Sequence, residues 1–116
     1  DADFTETIFM HPTILFRYSA IGFVGHRIHY DFPYTKNEEN YPDLIVHGPL
    51  QATFLLRAAE KLKGKAVTSF SHKVMAPVFA NSDYIIGAKE NPNGSVSCWG
   101  AVKGSGMTMQ AEAHFE

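Results

Sequence analysis

HGPLQATFLLRAAEKLKG, residues 47–64, sets the architecture of this chain. Proline suits the first position of a helix, where its missing N–H costs nothing, and no breaker follows from Pro49 to Lys63. Leu50, Phe54, Leu55, Ala58, Ala59 and Leu62 spread apolar surface around most of the cylinder. The spacing therefore predicts a largely buried helix rather than a surface one. Lys61 and Lys63 complement the C-terminal end of its dipole, and Gly64 is a natural stop. A helix this apolar needs a cover, and the rest of the chain offers one.

After Gly64 the sequence reads as strand after strand. Ala66 to Phe79 is long, and Pro77 marks an edge or a bulge. Tyr84 to Ala88 follows, then the turn Asn91-Pro92-Asn93-Gly94. Ser95 to Val102 alternates Val96, Cys98 and Gly100 against Ser97, Trp99 and Ala101. After a turn at Gly104-Ser105-Gly106, Met107 to Phe115 places Met107, Met109, Ala111, Ala113 and Phe115 on one face. Before the long helix, Ala2 to Met10 reads as a first strand, broken at His11-Pro12. Thr13 is the expected cap of a short helix over Ile14 to Ile21, with Leu15, Tyr18 and Phe16 facing inward. Gly22 and Gly25 permit a tight loop around Phe23-Val24, and Pro33 is expected to limit regular structure after it. Tyr34 to Tyr41 reads as a short surface helix, and Asp43 to Val46 as extended chain. One buried helix beside an antiparallel sheet is an α+β layout.

The length supports one domain with a single core. A net charge of −2 argues against nucleic acid or a membrane surface as partner. The lone Cys98 allows no internal disulfide, which fits a reducing compartment, cytoplasm or mitochondrial matrix. No apolar run approaches the roughly 18 residues of a membrane span. Phosphate-binding glycine loops are absent, and Ser19, Ser71 and Cys98 lack the setting of an activated nucleophile. With neither HExxH nor a cysteine pair, no metal site is expected.

Chemistry concentrates in HRIHYD, residues 26–31, and in His47-Gly48. Histidine titrates near neutral pH and is the usual general acid–base. In an extended segment His29 and Asp31 would share a side, so the carboxylate could orient the imidazole. Gly48 at the start of a buried helix allows close approach to free N–H groups and a positive dipole end. Such an end can hold a carbonyl oxygen that gains charge. Glycine and proline that simply start a helix are the competing explanation.

Ile14-Leu15-Phe16-Arg17-Tyr18-Ser19-Ala20, HRIHYD, Tyr41-Pro42 and Ile45-Val46-His47-Gly48-Pro49-Leu50-Gln51 together resemble the MaoC-like, hot-dog-fold acyl-thioester hydratases. The nearest branch is the two-hot-dog type of mesaconyl-CoA hydratases and mitochondrial 3-hydroxyacyl-thioester dehydratases, whose C-terminal half residues 1–116 resemble. The resemblance implies addition or removal of water at the α,β bond of a thioester on coenzyme A or an acyl carrier, with no other cofactor bound. It implies His29 as general acid–base, with His26 and Asp31 as candidate supports. It also implies Gly48 N–H as oxyanion donor, with His47 and Leu50 beside it at the substrate. Arg27 and Lys73 are candidate contacts for the carrier. A homodimer or higher homo-oligomer is the expected assembly. One position departs from the pattern: the family's acidic or amide partner, five residues before the histidine, is Val24 here. The alternative is thus a thioester-binding domain with impaired catalysis. Thioester hydrolysis ranks third, because Gln51 is an amide and Glu60 lies too late in the helix.

Overall fold

The computed structural model describes residues 2–116. Its elements run β1 (Phe4–Phe9), α1 (Pro12–Gly22), a 3₁₀ turn (Arg27–His29), α2 (Phe32–Asn37), α3 (Gly48–Lys63), β2 (Ser69–Val74), β3 (Asp83–Glu90), β4 (Val96–Val102) and β5 (Gly106–His114). The strands form one antiparallel sheet in the order β1-β3-β4-β5-β2. Helix α3 lies against this sheet, and Leu50, Leu55, Ala58 and Ala59 meet Tyr84, Ile86, Ala88, Val96, Cys98, Met109 and Ala113 in the core. The expected α+β arrangement, a buried helix wrapped by sheet, is the fold observed. Helix α3 starts on Gly48-Pro49 and stops at Gly64, whose φ of 75° would strain any residue with a Cβ.

Four local expectations need correction. Helix α1 begins at Pro12 with His11 as an uncapped N-cap, so Thr13 lies inside it. Phe16 points outward and is 64% exposed, while Leu15 is fully buried. The left-handed residue that ends α1 is Phe23 (φ 54°), not a glycine. Pro33 does not interrupt structure: it follows Phe32 in the first turn of α2, where its ring is tolerated and the Asp31 carboxylate caps the Tyr34 N–H at 3.1 Å.

The sheet holds two more differences. Strand β2 is short and exposed at the sheet edge, and the chain from Met75 to Phe79 leaves it to bridge back to Ile45. Between Gly100 and Ala101 the register of β4 on β5 shifts, so Gly100 faces Met109 and Ala101 faces Met107. This bulge buries Thr108 and Met109 together and leaves Met107 40% exposed, off the face it was expected to share.

Candidate active site

The extended chain before α3 is tied on both sides. Val46 N–H donates to the Val78 carbonyl, and Ile45 N–H donates to the Ile28 carbonyl (2.8 and 2.9 Å). The second bond draws the 3₁₀ turn of residues 27–29 against the start of α3. It brings His29 and His47 together: their rings stack with centroids 3.8 Å apart and planes 18° from parallel.

His29 is half-buried, and its Nδ1 lies 2.6 Å from the Ile45 carbonyl oxygen. A carbonyl can only accept, so Nδ1 carries the proton and the Nε2 lone pair is left for chemistry. Burial lowers the His29 pKa below the usual histidine value, the Ile45 carbonyl works against this, and neighbouring His26 lowers it further. The ring is thereby kept neutral, as a base needs.

His47 is 2% exposed. Its Nε2 lies 2.8 Å from Ser19 Oγ, while Nδ1 is buried with no partner. Burial first, then His29, pushes its pKa down to about 4. The Tyr18 ring also packs against it, 4.7 Å between centroids. His47 side chain makes no cap bond to α3, so the Gly48 N–H is not covered by it.

Two cavities open at the partners of this histidine pair: Ser19, bonded to His47, lines one, and Ile45, bonded to His29, lines the other. One, about 320 Å³, is lined by Phe16, Ser19, Ala20, Val24, Gly25 and Tyr30. The other, about 390 Å³, runs from Ile45, Val46, Gly48 and Gln51 to Val74 and the irregular chain after β2. Gln51 donates to the Val46 carbonyl at 3.3 Å and keeps its own Oε1 buried and unpaired.

Other sequence candidates lie apart from this pair. His26 is exposed, its Nδ1 accepting from Ile28 N–H at 3.4 Å, and its ring is 5.9 Å from His29. Asp31 does not turn toward His29. Residues 27–29 form a 3₁₀ turn rather than extended chain, and the carboxylate is occupied by Arg27 (2.9 Å) and the Tyr34 N–H. Arg27 also covers the Tyr34 ring at 3.9 Å. Lys73 stands on exposed β2, opposite Gln110. Leu50 is buried in the core. Ser19 was no candidate by sequence; only its contact with a histidine 28 positions away reveals it. Among the described residues no group of three or more His, Cys, Asp or Glu side chains is placed to hold a metal ion. Nor, among the described residues, is any helix long and apolar enough to cross a membrane.

Residues 1–80 match the family of hydroxyacyl-thioester dehydratase type 2. The mesaconyl-C(4)-CoA hydratase of Chloroflexus aurantiacus is 43% identical over 87 residues, 75% of this chain and 31% of that protein. The mitochondrial hydroxyacyl-thioester dehydratase type 2 of Schizosaccharomyces pombe is 35% identical over 85 residues, 71% of this chain and 28% of that protein. The chain thus spans less than two thirds of the length of either relative: the matched parts are 31% and 28% of them. Among solved structures, a MaoC-like dehydratase covers 100% of this chain with 40% of its own, at TM-score 0.83 and 21% identity. The (R)-hydratase of A. caviae covers 97% with 93% of its own, at TM-score 0.77 and 16% identity. These structural likenesses establish the hot-dog fold.

Proposed function

The chain belongs to the hydroxyacyl-thioester dehydratase type 2 family, and from that premise we propose that it interconverts 3-hydroxyacyl and enoyl thioesters, with His29 as the general acid–base. The observation that carries this reading is the short bond from His29 Nδ1 to the Ile45 carbonyl. It fixes one tautomer and leaves Nε2 as the base, and the anchoring Ile45 stands three residues before the start of α3 at Gly48.

In the dehydration direction, His29 Nε2 takes the proton on the α carbon. The electron pair of that C–H bond moves toward the thioester carbonyl, whose oxygen gains charge. Gly48 N–H, at the positive end of α3, is the donor for that oxygen. As the α,β double bond forms, the bond from the β carbon to its hydroxyl breaks. The departing oxygen takes the proton from the His29 imidazolium and leaves as water. Hydration is the reverse. The carrier is coenzyme A or an acyl carrier, and the apolar walls of the two cavities would take the acyl group.

A second reading is favoured by Val24, which lines the Ser19 cavity with an apolar side chain: a domain that binds thioesters without turning them over. Hydration of crotonyl-CoA and mesaconyl-CoA, followed as the loss of conjugated-thioester absorbance, separates the two. The expected result is turnover that falls at least about 100-fold in His29→Gln. Binding of both thioesters with no turnover would establish the second reading. Assembly with a second hot-dog unit, as a homodimer or within a longer chain, belongs to the same proposal.

A further inference from the structure

We infer that the Ser19 hydroxyl is the second polar group at the reaction centre, donating to the oxygen on the β carbon while His29 handles its proton, with His47 as the positioning residue that aims it. The inference rests on the hydratase reading above. Water that adds to a double bond, or leaves to form one, needs two protein contacts: one to move a proton and one to fix the oxygen. His29 supplies the first.

Of the six residues lining the cavity on which Ser19 opens, Ser19 and Tyr30 alone carry polar side-chain atoms. Tyr30 is 49% exposed and Ser19 is 7% exposed. A buried hydroxyl is the better-fixed donor.

The orientation of the hydroxyl follows from His47. A proton on His47 Nδ1 would leave a buried N–H with no acceptor, because that atom has no partner. A proton on Nε2 leaves only an unmatched lone pair at Nδ1, and orphaned buried donors are the rarer and costlier fault. Nε2–H therefore donates to Ser19 Oγ across 2.8 Å. Serine in a helix commonly returns its own proton to the carbonyl four residues back. Ser19 makes no such bond; among the described residues its side chain bonds only to His47. Its O–H is free at the cavity wall, and its oxygen is held by a ring that lies flat on His29.

In the dehydration direction the Ser19 O–H donates to the β-hydroxyl oxygen and the bond strengthens as that oxygen departs. Ser19 keeps its proton throughout, and the transferred proton comes from His29. In hydration the same donor holds one lone pair of the incoming water, so that the other faces the β carbon.

The test is steady-state hydration of crotonyl-CoA by the 116-residue chain, its Ser19→Ala variant and the Ser19→Ala/Val24→Asn double variant. Ser19→Ala is expected to lower kcat by about 100-fold, the effect of one lost donor, with KM changed less than about threefold. Asn at position 24, which lines the same cavity, is expected to restore at least about tenfold. If the native chain turns over and Ser19→Ala keeps kcat within about threefold, the inference is wrong and the hydratase reading stands. If Tyr30→Phe and not Ser19→Ala loses kcat, the second donor is the phenol and the inference is equally wrong. A native chain without turnover overturns the hydratase reading and this inference with it. Should Ser19→Ala fail to fold, Ser19→Thr carries the test: a folded variant that keeps the hydroxyl must retain at least about a tenth of kcat, and its inactivity refutes the role.

Discussion

Lowering the pH from 7 to 5 asks His47 to accept a proton where no charge can be solvated. It is 2% exposed, stacked on a second histidine and packed against Tyr18. Its pKa falls from the ordinary 6.5 to about 4 in the folded chain. The unfolded chain takes that proton near pH 6.5, so between 6.5 and 4 the unfolded state holds more protons than the folded one. Stability is then flat above about pH 6.5 and falls as the pH drops through this window. The full shift corresponds to about 3 kcal/mol, of which about 2 kcal/mol is lost by pH 5. His29, depressed by the same burial, adds to the loss. Asp31 does not: its pKa is lowered from 3.8, so its contribution persists until the pH falls below that value. Urea unfolding followed by Trp99 fluorescence at pH 7, 6 and 5 reads the effect. With a slope of about 1–3 kcal/mol/M, the midpoint should drop by about 1 M between pH 7 and 5. His47→Phe keeps a ring in the stack and removes the titration, so most of that drop should vanish, leaving the share due to His29. An unchanged drop in His47→Phe would refute the assignment of the acid sensitivity to this site.

Three further outcomes follow from other parts of the molecule. A Cβ built on Gly48 meets nothing within 4 Å, so Gly48→Ala should unfold at an unchanged temperature; alanine keeps the backbone N–H, so a loss of hydratase activity would report the Cβ crowding the thioester, and a normal rate would show that the substrate does not approach Gly48 closely. A Cβ on Gly100 would fall inside the buried Tyr84 phenol, so Gly100→Ala should cost about 1–3 kcal/mol by denaturant melts. The Tyr84 ring carbons Cζ and Cε1 crowd that Cβ as well as the hydroxyl, so adding Tyr84→Phe should recover less than half of that loss, and full recovery would mean that the hydroxyl alone carries the clash. Burial raises the Cys98 thiol to about 11, so at pH 8 the native chain should react with a disulfide reagent about 100-fold more slowly than the urea-unfolded chain; rapid labelling of native protein would show that strand β4 opens.

What the sequence discloses and what it hides divide along the distance between interacting residues. Helix α3 is legible because its signals are local: Pro49 and Gly64 are read by their own backbone limits, and the apolar positions between them need only a period. Strand β4 is legible for the same reason, its buried Val96 and Cys98 alternating with Ser97 and Trp99. The bulge opposite Gly100 is not, because it arises from the fit of β4 to β5 and neither strand alone contains it. Nor is the loss of Phe16 to solvent, since a helix face is inward only relative to what covers it.

The candidate site lies at the far end of that scale. His29 is prominent in HRIHYD, and reading the segment as extended pairs it with Asp31. The chain instead turns as a 3₁₀ helix, and Asp31 is drawn to the two partners nearest in sequence, Arg27 four residues before it and the Tyr34 N–H three after. An acid that caps a helix and holds a guanidinium has little capacity left for an imidazole. The partners His29 does acquire are Ile45 and His47, 16 and 18 positions away, and the serine behind them reaches His47 across 28. The bond from Ile45 N–H to the Ile28 carbonyl lashes the 3₁₀ turn to the start of α3 and holds His29 beside Ile45 and His47. Local pattern thus yields the scaffold and the reactive residue types. The pairing of Ser19, His47 and His29 is a property of the tertiary fold, and at Val24, where a local rule leaves the site without a second polar group, tertiary contact brings Ser19 to the same cavity wall.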